Sequence, residues 1–219
     1  VLLVPISSNR GLCGGFNANV VKATNRLIAG TYADSNITVL PIGKKAEDHY
    51  KKSEYVIHGT TLPRHLNELF NDLSFENVSV VAEKIKKAFE TKQFDRVVLV
   101  YNKFKNAAMQ ILMEEQFLPV LPPEVDPSAT SAAGEYLFEP SKNEIVEQLI
   151  PKSLKTQLFK ALLDSHASEH GARMTAMHKA TDNAGDILTD LKLVYNKERQ
   201  AAITNEILEI VGGAEALNG

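Results

Sequence analysis

His166-Ala-Ser-Glu169-His170 is the segment of this chain whose residue types most resemble a catalytic centre. Two imidazoles four residues apart lie on one helix face, and the adjacent carboxylate completes the H-x-x-E-H arrangement of a zinc hydrolase. That chemistry also needs a third ligand from a second packed helix and a substrate cleft, and no motif supplies them. The same five residues read as the solvated face of a long helix, and that reading takes precedence. A second candidate is the loop Asn9-Arg10-Gly11-Leu12-Cys13-Gly14-Gly15-Phe16-Asn17, placed between an apolar run and a helical pattern. In a nucleotide-binding α/β protein this is where backbone N–H groups would receive a phosphate. The glycines match neither G-x-G-x-x-G nor G-x-x-x-x-G-K-[ST], so a tight turn with close helix–sheet packing is the better account. Cys13 could be a nucleophile at a helix terminus, but no histidine motif points to a base for it. No catalytic residue, metal or cofactor is therefore expected.

The elements around these residues divide the chain in two. Residues 1–142 carry strand-length apolar runs at Val1–Ile6, Ile37–Ile42, Val97–Tyr101 and Met109–Met113, with weaker ones near Phe117–Leu121 and Tyr136–Glu139. Helical patterns at Phe16–Ala29 and Val78–Phe89 lie between them. This alternation predicts a doubly wound, mostly parallel, Rossmann-like α/β domain. Met109–Glu115 follows Tyr101 too closely for a helical crossover, so that pair is expected to be antiparallel. Residues 122–134, rich in Pro, Ser and Ala, read as a loop.

Residues 143–219 predict one long C-terminal helix. Met177, Ala180, Ala184, Ile187, Leu191 and Val194 recur at alternating spacings of three and four, a coiled-coil seam. Small residues (Ala161, Ser165, Ser168, Ala172, Ala176) flank the seam and would admit a partner backbone. The chain holds no second helix of similar length, so most of this one is expected to find a partner elsewhere.

Composition narrows the function. The 219 residues are 44% hydrophobic and 23% charged, with a net charge of −3. This is ordinary for a folded protein and gives no electrostatic case for a nucleic-acid partner. The short basic pairs (Lys44-Lys45, Lys51-Lys52, Lys86-Lys87) are interleaved with acids and read as helix surface. No apolar run reaches the roughly 20 residues of a membrane helix. The single cysteine excludes an intrachain disulfide and fits a reducing compartment. The chain opens on a strand, without Met or a visible leader, and is expected to be a fragment.

Near the C-terminus the residues become specific. Ala167 through Asp186 (ASEHGARMTAMHKATDNAGD) and Tyr195 through Ala214 (YNKERQAAITNEILEIVGGA) resemble the long C-terminal helix of the gamma subunit of F-type ATP synthase. Within Ile203–Ala216, the fixed positions of the family's signature are matched by Ile203, Thr204, Glu206, Glu209, Gly213, Ala214 and Ala216. Ile6-Ser-Ser-Asn-Arg-Gly-Leu-Cys-Gly-Gly-Phe-Asn17 resembles the start of that family's α/β domain. The likeness covers nearly the whole chain in order and is looser at about 45–90 and 122–142. The family's N-terminal helix, which pairs antiparallel with the C-terminal one, has no counterpart in this sequence.

The resemblance implies a non-catalytic rotor subunit of the central stalk. In the family it turns within a ring of alpha and beta subunits and couples proton-driven rotation to ATP synthesis and hydrolysis. Its asymmetric shaft biases each beta subunit differently between open and closed states. The α/β domain would meet the epsilon subunit and the membrane c-ring, and the absent N-terminal helix would cover the seam. Contacts to the beta subunits fall on Arg199, Gln200, Thr204, Glu206 and Glu209, with Arg199 as a bidentate donor to carboxylates. The apolar end (Ile207, Leu208, Ile210, Val211) would be a bearing. The implied location is peripheral, on the cytoplasmic side of a bacterial inner membrane, with the mitochondrial matrix side also open. The chloroplast form's regulatory cysteine pair is excluded by the single Cys13.

Overall fold

The structure, a computed structural model, describes residues 1–55, 62–63, 65–121, 139 and 141–218. The expected loop at 122–134 and Tyr136–Phe138 of the weak edge strand lie outside these residues. Two compact units are present, Val1–Thr175 and Ala176–Gly219.

The first unit is built on a sheet of order β2-β1-β3-β4. β1 (Leu2–Pro5) runs parallel to both β2 (Thr38–Val39) and β3 (Val97–Phe104), while β3 and β4 (Gln110–Leu118) are antiparallel. The sheet is thus mostly parallel, as the alternating pattern predicts. The two apolar runs expected around Met109 and Phe117 join into the single strand β4. A two-residue turn, with Asn106 and Met109 exchanging backbone hydrogen bonds of 3.2 Å, closes the β3–β4 hairpin.

Alternation along the strands sends residues to two cores. On one face Leu3, Val39, Val98 and Val100 meet Val20, Ala23 and Leu27 of α1 (Phe16–Ala29). Tyr50, at the end of α2 (Lys44–Tyr50), joins them. On the other face Leu2, Val4, Ile6, Val97, Leu99 and Tyr101 meet Val78, Val81 and Ile85 of α3 (Phe75–Glu90). The same core takes in Leu154, Leu158, Ala161 and Leu162 of α4 (Lys142–Asn218). Helices on both faces make the domain doubly wound.

Local chemistry sets the entries into the helices. Ser74 caps α3, its hydroxyl accepting from the backbone N–H of Asn77. Gly43 precedes α2 with φ of 96°, and a Cβ there would sit 2.1 Å from the Ser7 carbonyl oxygen, so only glycine fits. That close approach lets the Ser7 hydroxyl accept from the Ala46 N–H at 2.8 Å. Pro151 lies inside α4, where it removes one backbone donor from the ladder.

Three of the small residues of α4 have a different role from the expected one. Ala161, Ser165 and Ser168 are buried within the first unit. Ser168 Oγ donates to the Asn102 carbonyl at 3.0 Å. A Cβ on Gly171 would come within 3.0 Å of the Ala107 carbonyl, and Thr175 Oγ1 donates to that same oxygen at 3.1 Å. Ser168, Gly171 and Thr175 thus meet the chain's own β3–β4 hairpin, in place of the foreign backbone expected along this small face.

Candidate functional site

The second unit is helical from Ala176 through Asn218, about 40 residues and roughly 60 Å of helix. Every residue from 177 to 216 is exposed. The seam residues Met177, Ala180, Ala184, Ile187, Leu191 and Val194 are among them, and Leu191 is 60% exposed. A solvated helix this long ordinarily turns only polar residues outward, so a continuous apolar stripe marks a face built to be covered.

Beyond Val194 the apolar stripe changes face. The next positions at the seam's spacing are Glu198, Ala201, Asn205 and Leu208, of which only Leu208 is a large apolar residue, whereas Ile203, Ile207 and Ile210 fall off that register. At 100° per residue the second stripe lies roughly 140° around the helix from the seam. Two differently directed apolar faces therefore lie on one helix.

Arg199, Gln200, Thr204, Glu206 and Glu209 are all exposed, four of them around this second stripe and Glu209 on the seam's side. On the ideal helix Arg199 and Glu206 lie between seam and stripe, with Gln200 and Thr204 on the stripe's far side. Thr204 Oγ1 donates to the Gln200 carbonyl at 2.8 Å, a bond within the helix. None of the five is held in a core, and nothing in their local structure marks them apart from neighbouring surface residues.

The two catalytic candidates are built differently from an active site. His166 and His170 sit on one face of α4 with their Nε2 atoms 3.3 Å apart. Burial, then the neighbouring His170, holds the His166 imidazole below its usual range. Glu169, the would-be base, is 8% exposed and salt-bridged to Arg173 at 2.6 Å. Among the described residues no group of three or more His, Cys, Asp and Glu side chains converges.

Side chains on either side of the Gly11–Gly15 loop tie it into the fold. Asn17 Nδ2 donates to Ser8 Oγ at 2.8 Å and to Cys13 Sγ at 3.1 Å, and its Oδ1 accepts from the Ser8 N–H. Asn9 Oδ1 accepts from the Lys44 N–H at the start of α2. The Gly11 carbonyl accepts from Arg173 Nε. Leu12 and Gly14 have positive φ, which is the tight turn the glycines predict. Cys13 is buried with Ser8 and Asn17 as its polar neighbours.

A family model described as ATP synthase matches residues 1–217. The chain is 59% identical to the ATP synthase gamma chain of Christiangramia forsetii over 219 residues, which is 100% of this chain and 73% of that one. It is 58% identical to the ATP synthase gamma chain of Flavobacterium johnsoniae, with the same coverage.

The chain belongs to the ATP synthase gamma-chain family.

A gamma chain is a non-catalytic stalk subunit, and its role is that of the central-stalk rotor in ATP synthase. The fold agrees. A chain of the Euglena gracilis mitochondrial ATP synthase superposes with a TM-score of 0.67 at 24% identity, covering 99% of this chain and 72% of that one. A chain of the Tetrahymena thermophila mitochondrial ATP synthase central stalk and c-ring gives 0.58 at 24% identity, with 82% and 75% covered. As a gamma chain the protein is a peripheral component of a membrane-associated complex. Among the described residues no helix is long and apolar enough to cross a membrane.

The five polar positions carried no signal of their own in the sequence; only the family resemblance nominates them. The Glu169–Arg173 pair was the reverse case. Its i, i+4 spacing was readable, but its tie to Gly11 across 162 residues was not.

Proposed function

We propose that the helix of residues 176–218 is the coupling surface of the rotor, with two faces assigned to two partners. The seam from Met177 to Val194 receives the N-terminal helix of the gamma family in an antiparallel coiled coil. The polar set Arg199, Gln200, Thr204, Glu206 and Glu209 engages the beta subunits of an alpha/beta ring. Ile203, Ile207 and Ile210 run as a bearing against the ring's neck. The observation that carries this reading is the exposure of both apolar stripes, on different sides of one helix.

Functionally the chain divides near residue 142 into a foot (1–142) and a shaft helix (143–219), with residues 154–162 of the helix serving the foot's core. The foot meets the epsilon subunit and the membrane c-ring, on the cytoplasmic side of a bacterial inner membrane or its mitochondrial equivalent. Coupling follows from differential contact. A shaft that offers Arg199 to one beta subunit and an apolar stripe to the next shifts each by the difference in its contacts with the two states.

Arg199→Ala tests the assignment. An exposed arginine contributes little to the chain's own stability, so the melting temperature of the purified chain stays unchanged. ATP hydrolysis by the assembled complex falls about tenfold or more, the loss of one charge-assisted interaction. A lowered melting temperature with unchanged hydrolysis would assign Arg199 to structure instead.

A further inference from the structure

We propose that His166 and His170 form a two-imidazole binding site for a transition-metal dication of the zinc type, unrelated to catalysis and independent of the coupling role. The two Nε2 atoms are 3.3 Å apart. Two imidazole nitrogens at 2.0–2.1 Å from one tetrahedral zinc are separated by about 3.3–3.4 Å. The pair therefore holds the spacing of a chelate without any backbone change.

Other features favour a site over a chance approach. The i, i+4 spacing on α4 fixes both Cβ atoms on one face, so the helix pays the ordering cost in advance. His166 is stacked on Phe70 of the 3₁₀ turn Leu66–Phe70, with centroids 6.0 Å apart and planes 19° off parallel. This packing locks the ring that His170 meets edge-on at 81°. His170 is exposed, which leaves an entry path from solvent. A direct imidazole–imidazole hydrogen bond is the competing explanation, and 3.3 Å is long for one. Glu169 is engaged by Arg173, so it adds no third ligand, and water completes the coordination. Two protein ligands make this a clip across one turn of helix and not a hydrolytic centre.

The test uses the untagged full chain, stripped with a chelator and titrated with zinc chloride by calorimetry, with magnesium chloride as control. The expected result is one saturating zinc ion per chain and no magnesium binding. His170→Ala and His170→Gln should each weaken zinc binding by about tenfold or more, since even a supporting residue is worth roughly 10–100-fold. Zinc should raise the melting temperature of the wild-type chain and not that of either variant. His65→Ala is the control, taken from a histidine–carboxylate pair elsewhere among the described residues, with Glu47 at 2.7 Å, and should leave the affinity unchanged. Equal affinity in the His170 variants, loss of binding in His65→Ala, or no saturable uptake by the wild type would overturn the proposal.

Discussion

Arg173 donates to Glu169 Oε1 at 2.6 Å from one nitrogen and to the Gly11 carbonyl at 3.3 Å from another. It thereby ties α4 to the loop that follows β1, and it neutralises a carboxylate that is 8% exposed. The glycine loop is thus tied to α4 within the first unit.

Arg173→Leu should destabilise the chain by about 3 kcal/mol, because it strands a buried charge. Glu169→Gln in the same chain should recover part of that loss. Urea unfolding of the two single variants and the double variant checks this, and strict additivity would count against a coupled pair.

The two halves of α4 should respond differently to truncation. Leu158 is fully buried in the first unit, so Leu158→Ala should cost about 2–5 kcal/mol. Leu191 is exposed on the seam, so Leu191→Ala should change the stability of the purified chain by no more than about 0.5 kcal/mol. If a partner helix covers the seam, the same Leu191 variant should weaken its binding. Denaturation of the chain, followed by titration with a peptide of the family's N-terminal helix, separates the two effects.

Tyr50 gives a pH prediction. Its hydroxyl donates to Asn25 Oδ1 at 2.8 Å, and burial pushes the phenol up to about 12. An acid whose pKa is raised on folding favours the native state fully below its unfolded value, near 10. That contribution is lost as pH rises from about 10 toward 12. Between pH 8 and pH 11 the wild type should therefore lose more unfolding free energy than Tyr50→Phe. Equal losses would show that Tyr50 does not titrate in this window.

Much of the fold was readable because its signals are local. Val20, Ala23, Thr24 and Leu27 set the face of α1, and Gly15 and Gly30 bracket it. The all-apolar Val97–Val100 run marked a strand covered on both sides. The small face of α4 was readable too, but not what it meets: Gly171 and Ala107 are 64 positions apart, and spacing carries no information about such pairs. The same limit applies to the surface. A seam can be found from its period, since burying it demands apolar residues. Arg199 and Glu206 are ordinary exposed side chains until a partner arrives, so only likeness to a known family points to them.

The central claim is that residues 176–218 act by contact with a catalytic ring. The direct test mixes this chain with purified alpha and beta subunits, with and without the family's N-terminal helix as a separate peptide, and follows assembly and ATP hydrolysis. The account predicts that the chain alone hydrolyses nothing, that the helix-supplemented mixture assembles, and that its hydrolysis rises above that of the ring alone. Failure of the supplemented mixture to assemble, or hydrolysis by the chain alone, would contradict it.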